Sequence, residues 1–303
     1  MLTRLLVPLD GSTFAEQALP TAVSLVKERH GRLELVLVHE PHPYHGLDDT
    51  PWSSARRSMQ DSYITDKAQQ LSDACGLAVA HTLVAGDVAE EVCRRARESE
   101  ADLIVMTTHG RTGLSRAWLG SVAEAVVRRA TTPVLLLRDM HGDPSRIPAL
   151  DFRRILVPTD GSPASRRVFG IASAVARTGV SEFVLLRVVA PVPAVVDTTF
   201  PYGYISSPVD QESTQALIAD AARELTEPAI ELAERSACDV DPRVAASDHP
   251  ATAIVEFANR HRVDLIAMTT RGLGVSRSPV GGVAERILRS STLPLLLTTP
   301  ALR

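Results

Sequence analysis

Two short segments hold the residue types best able to do chemistry. The first is Pro8-Leu9-Asp10-Gly11-Ser12, which returns as Pro158-Thr159-Asp160-Gly161-Ser162. A carboxylate just beyond a strand can accept hydrogen bonds from ribose hydroxyls. The same residues also spell a tight turn: proline ends the strand, glycine bends the chain, and Asp or Ser caps the next helix. The second segment is Met106-Thr107-Thr108-His109-Gly110, followed after nine intervening residues by Gly120-Ser121. A glycine-bearing loop that feeds a helix N-terminus makes a phosphate cradle, because bare backbone N–H groups and the positive end of the helix dipole converge on one point. Ser121 adds a hydroxyl donor. Arg111 and Arg116 either neutralise phosphate charge or stand solvated. The plain alternative for this segment is a surface loop with a Gly-Ser helix cap. His109 lies nearest such phosphates, yet nothing places a catalytic base, so no catalytic residue is assigned.

Several other chemistries are disfavoured by what the chain lacks. No G-x-G-x-x-G follows the first strand, no G-x-x-x-x-G-K-[ST] is present, and no G-x-S-x-G supplies a nucleophile. Cys75, Cys93 and Cys238 have no metal-ligand spacing and no disulfide framework, so no metal site is expected and each reads as a small buried thiol.

The elements that must position these segments are duplicated. RLLVPLDGS (4–12) and RILVPTDGS (154–162) agree at seven of nine positions, and ADLIVMTTHG (101–110) and VDLIAMTTRG (263–272) at seven of ten. The first pair is offset by 150 residues and the second by 162, so one whole domain is repeated and the second copy is longer. The expected domains are 1–141 and 152–303, joined by a linker over 142–151, where prolines and charges replace any periodicity.

Apolar runs alternate with helical patterns in each copy, predicting a parallel sheet covered on both faces. Strands are expected near 4–8, 33–39, 78–84, 102–106 and 133–137, and again near 154–158, 181–189, 240–245, 264–268 and 294–298. Helices are expected near 13–29, 53–75, 87–98 and 120–129, then 163–178, 209–237, 250–261 and 280–290, with Pro228 splitting the longest. Long irregular stretches, 40–52 and 190–208, follow the second strand of each copy and suit loops that cover a site. In an open parallel sheet that site lies beyond the carboxyl ends of the strands.

The net charge of −4 argues against a nucleic-acid or anionic-membrane partner. Only Lys27 and Lys67 are lysines, a bias that base composition explains as readily as phosphate binding. Neither a signal-like apolar stretch nor a membrane span stands out, so a cytoplasmic protein is expected.

At these motifs the chain resembles the universal stress protein family, in a tandem form covering nearly the whole sequence. The family motif G-x2-G-x9-G-[ST] aligns with Thr107, Gly110, Gly120 and Ser121, and VPLDGS, HGRTGL, LGSVAE and ATTPVLLL have family equivalents in the same order. The resemblance implies two Rossmann-like domains, each with five parallel strands in the order 3-2-1-4-5, and ATP across the edges of strands 1 and 4. It implies that Asp10 holds the ribose. Val38 and Met106 would flank the adenine with the backbone of Pro8 and Leu9, while Gly110, Gly120, Ser121 and Val122 face the phosphates. Thr107 departs from the motif, bringing a Cβ where the family has glycine.

In the second copy Pro158, Thr159, Asp160, Val188, Met268 and Gly272 match. Only eight residues separate Gly272 from Gly281, however; Gly282 replaces the serine, Arg271 the histidine, and Pro279 stiffens the loop. Losing a charge-assisted hydrogen bond and misplacing the turn costs about 1.5–3 kcal/mol, so the first copy is expected to bind ATP more tightly. The family also pairs domains through the fifth strand, implying an internal pseudo-dimer, with association of whole chains a further expectation. Three functions are weighed: an ATP-regulated signalling or protective module, a slow ATPase or nucleotidyl-transfer enzyme, and a nucleotide-free scaffold. Whether Mg²⁺ accompanies the nucleotide is left open.

Overall fold

The computed structural model describes residues 2–40, 51–108, 120–138, 149–193, 210–272 and 280–299, apart from the side chains of 51 and 52. His109, Gly110, Arg111, Arg116, Pro279, most of the linker and most of both long loops lie outside these residues.

The first half runs β1 (Arg4–Leu9), α1 (Thr13–Glu16), α2 (Ala18–Lys27), β2 (Arg32–His39), α3 (Pro51–Cys75), β3 (Val79–Ala85), α4 (Val88–Glu98), β4 (Leu103–Thr107), α5 (Ser121–Arg129) and β5 (Val134–Leu137). The second half runs β6 (Arg154–Thr159), a 3-10 turn over Ser165–Arg167, α6 (Val168–Val175), β7 (Glu182–Val189), α7 (Gln211–Glu224), α8 (Thr226–Ser236), β8 (Asp239–Ala246), α9 (Pro250–Arg260), β9 (Leu265–Thr269), α10 (Gly282–Ser290) and β10 (Leu295–Thr298).

All ten strands form one sheet in the order β3-β2-β1-β4-β5-β10-β9-β6-β7-β8. Each half therefore has the expected 3-2-1-4-5 order. Pairing within each half is parallel; β5 and β10 meet antiparallel, Leu295 opposite Leu136 and Leu297 opposite Val134. The strongly apolar fifth strands thus cover each other's edges, which relieves the pairing hazard of an exposed apolar edge.

Alternation along a strand sends its side chains to two cores. In β1, Leu5, Val7 and Leu9 pack on one side with α2 and Ile64 of α3, while Leu6 faces Val92 of α4 and Val126 of α5. The repeated aspartate of the ADLI/VDLI motif is structural. Asp102 Oδ2 accepts from the Thr3 and Arg4 amides at 2.7 and 2.9 Å, and Asp264 Oδ2 accepts from Arg153 and Arg154 at 3.0 and 2.8 Å.

The long helix of the second half is split at Leu225. Pro228 has no amide to bond the carbonyl of Glu224, and its ring would crowd that carbonyl, so α7 ends and α8 begins. Pro242 sits in β8, an outer strand with a free edge, where a missing donor costs least. The helix expected near 13–29 is broken at Gln17, and that near 163–178 starts as a 3-10 turn and ends by Val175.

The residue after each fifth strand reaches across the junction. Arg138 donates to the Leu288 carbonyl of α10, and Thr299 Oγ1 donates to the Ala130 carbonyl at 3.0 Å. Burial lowers the Arg138 guanidinium to about 10. Helices α5 and α10 are further joined by Arg128–Glu285 at 3.7 Å and Arg289–Glu124 at 4.0 Å.

Candidate functional site

A cavity of about 310 Å³ opens beyond the carboxyl ends of β1, β2 and β4. Its lining includes Pro8, Leu9, Asp10, Val38, Met106, Thr107, Gly120, Ser121 and Val122, so the structure brings these sequence-singled residues of the first copy to one place. The volume falls at the small end of the range for cofactor pockets, about 300–1,000 Å³.

One wall is set by the turn after β1. Gly11 has φ +82°, a left-handed conformation that glycine adopts without Cβ strain. Asp10 Oδ1 accepts from the Ser12 amide at 2.9 Å, and Ser12 Oγ caps α1 by accepting from Ala15 N at 3.2 Å. The sequence left open whether the aspartate builds the turn or binds a ribose. In the structure both residues shape the turn, and one carboxylate oxygen is already occupied.

The opposite wall is the start of α5. Gly120 is the N-cap, in extended conformation, and its amide donates to the Thr108 carbonyl at 2.8 Å. That corrects one expectation: the Gly120 N–H is spent on the chain itself. The donors at the cavity belong instead to Ser121, Val122 and Ala123, the first-turn amides that have no intrahelical partner. The Val122 side chain is 37% exposed. Thr107 is buried at the end of β4 and lines the cavity, as does the half-buried Val38.

The sequence reading missed a third wall from α3 and the end of β2: Gln60, Arg56 and Glu40. Gln60 Oε1 lies 2.6 Å from Nδ1 of the buried His39. Helical periodicity does not mark such residues, whereas comparison between the copies does. Strand register equates His39 with Val189, since both close the pairing of the second strand with the third. Counting back from the left-handed residues Gly76 and Ala237 equates Gln60 with Ala221 and Arg56 with Leu217. Beneath the turn, Glu16 accepts from Tyr63 Oη at 2.8 Å and pairs with Lys67 at 3.0 Å. Burial first, then the Glu16 carboxylate, pushes the Tyr63 phenol far above its ordinary range.

The second copy repeats the frame and closes on itself. Gly161 has φ +83°, Asp160 Oδ1 accepts from Ser162 N at 3.0 Å, and Gly281 N donates to the Thr270 carbonyl at 2.7 Å. The Thr159 hydroxyl accepts from Gly161 N at 3.1 Å and bonds Ser165 Oγ at 2.7 Å. The Asp160 carboxylate is pressed so close to Gly272 that a Cβ there would fall 2.0 Å from Oδ2. Arg187, which takes the register position of Leu37, pairs with Glu224 and lies over the turn, 3.1 Å from where a Gly161 Cβ would stand. Val188 is partly buried and Met268 buried in the matching core, and Gly282 faces open space.

The universal stress protein family model matches residues 1–138 and again 151–299. The chain belongs to the universal stress protein family. Universal stress protein MJ0531 of Methanocaldococcus jannaschii is 30% identical over 138 residues, covering 45% of this chain and 81% of that protein. Universal stress protein Rv2005c of Mycobacterium tuberculosis is 30% identical over 200 residues, covering 66% of this chain and 62% of that one. A universal stress protein structure from Archaeoglobus fulgidus superposes with a TM-score of 0.69 at 19% identity, covering 99% of both chains, which supports the tandem fold.

The donor set fits an adenine nucleotide: first-turn amides and Ser121 for phosphates, Asp10 for ribose hydroxyls, and Val38 and Met106 as apolar walls for a base. Among the described residues no group of three His, Cys, Asp or Glu side chains could hold a metal ion, and no helix is long and apolar enough to cross a membrane.

Proposed function

We propose that this universal stress protein binds ATP in the first-half cavity and uses it as a regulatory ligand of a signalling or protective module. One observation carries the reading: a single cavity is lined both by the first-turn residues of α5, Ser121, Val122 and Ala123, and by Asp10. Donors suited to phosphates and an acceptor suited to ribose hydroxyls in one cavity support the reading. Any Mg²⁺ would arrive with the phosphates, as that ion generally does. When bound, ATP supplies charge and hydrogen-bonding edges at the loop that leads into α5.

The same reading makes the second copy the weaker partner. Arg187 and Asp160 occupy the turn there, and Gly282 offers no hydroxyl. Because α5 is tied to α10 across the junction, occupancy of the first site has a route into the second half. A cytoplasmic location and further pairing of whole chains belong to this proposal too.

Native mass spectrometry of the chain with Mg-ATP tests it. The expected spectrum carries one ATP per chain and no accumulating ADP over hours. Steady ADP release would move the reading to a slow ATPase, and no adduct would leave a nucleotide-free scaffold.

A further inference from the structure

The wall contributed by α3 has no counterpart in the nucleotide motif, and its polar residues Arg56 and Gln60 give way to Leu217 and Ala221 in the second copy. His39 is buried, 7% exposed, at the last position of β2, directly after Val38. Its Nδ1 meets Gln60 Oε1 at 2.6 Å. With the carboxamide oxygen placed at His39, Nδ1 carries the hydrogen and donates it. The carboxamide is thereby fixed with its oxygen turned to the histidine, which does not line the cavity. Its other end is an NH₂ group with no hydrogen bond among the described residues, on a side chain that does line the cavity. In the second copy the two positions hold Val189 and Ala221, so both members of the pair are exchanged for apolar residues together.

The position of this pair assigns its target. Phosphate donors cluster at α5, beyond β4, whereas Gln60 stands at the far side, beyond β2 and beside Val38. A nucleotide with its phosphates at α5 would bring its base to Gln60. On its Watson–Crick edge adenine has a bare ring nitrogen that accepts a hydrogen bond, while guanine and uracil carry an N–H there and meet a donor with a donor.

Resting on the nucleotide reading above, we infer that Gln60 is a base-reading residue that selects adenine over guanine and uracil, and that His39 is its positioning residue. The pair adds a discriminating contact that apolar walls alone do not supply.

The test is calorimetric titration of the full-length chain with ATP, GTP and UTP, in wild type, Gln60→Ala, His39→Val and the double variant. Both substitutions install residues that the second copy already holds in the same fold. Wild type is expected to prefer ATP, and Gln60→Ala to lower ATP affinity about tenfold with much less effect on GTP and UTP, so that the spread between bases narrows. His39→Val is expected to lose part of the preference, and to add nothing in the Gln60→Ala background, because it acts only through that amide. Equal losses for all three nucleotides, or unchanged ATP binding, would overturn base reading while leaving the nucleotide site standing. A further loss from His39→Val in the double variant would overturn the positioning role. Wild type that binds none of the three would sink the nucleotide reading itself and this inference with it.

Discussion

Asp10 separates two readings of the turn after β1 most sharply, and the substitution that does so is Asp10→Asn. In the structure Oδ1 accepts from Ser12 N at 2.9 Å, a local bond that asparagine reproduces with its amide oxygen. The turn and the Ser12 cap of α1 should survive. The negative charge is what disappears. A hydrogen bond to a charged acceptor contributes about 1.5–3 kcal/mol and a neutral one about 0.5–1.5, so the exchange costs about 1–1.5 kcal/mol of ribose binding, or about five- to tenfold in affinity. Asp10→Ala removes the turn bond as well, and adds about 1 kcal/mol of destabilisation, a shift of about 2 °C for a chain of this size. Isothermal titration with ATP, paired with thermal melts, reads both quantities. An Asp10→Asn variant that melts and binds ATP like wild type would show that the carboxylate only builds the turn. Asp160→Asn serves as the internal control and should leave ATP binding by the intact chain unchanged.

Three other outcomes follow from particular contacts. Ser121→Pro suits the first helical position, and Gly120 before it already has the extended conformation a following proline prefers, so α5 should persist by circular dichroism while loss of one amide and one hydroxyl lowers ATP affinity about tenfold. A fragment of residues 1–138 frees the Leu-rich edge of β5 and should pair with a second copy through it, doubling the mass by light scattering; a monomer would mean that edge is covered some other way. Gly272→Ala drives a methyl into the Asp160 carboxylate and should cost about 1–3 kcal/mol by chemical denaturation, most of it recovered when Asp160→Ala is added.

Much of the fold was legible because its signals are local and repeated. Continuous apolar runs such as those of β2 and β7 read as strands buried on both faces, and the duplicated RLLVPLDGS and ADLIVMTTHG segments fixed the equivalence of the halves. Pro228 announced the break between α7 and α8, though the break falls before it, where the ring meets the preceding turn. The limits were tertiary. Nothing in the motif told that the Gly120 amide is spent on Thr108, or that Asp10 is partly committed to Ser12. Gln60 and Arg56 reach the cavity from a long helix whose apolar periodicity is weak, so only alignment of one copy against the other exposes them. The self-packing of Arg187 over Gly161 likewise requires the register of β6 and β7.

The most direct measurement is the stoichiometry of ATP binding to the intact chain by calorimetry. One nucleotide per chain, abolished or strongly weakened by changes at Asp10 and Ser121 but not at Asp160 and Gly282, is the expected result. Zero bound would contradict the site, and two of equal affinity would contradict the closed second copy.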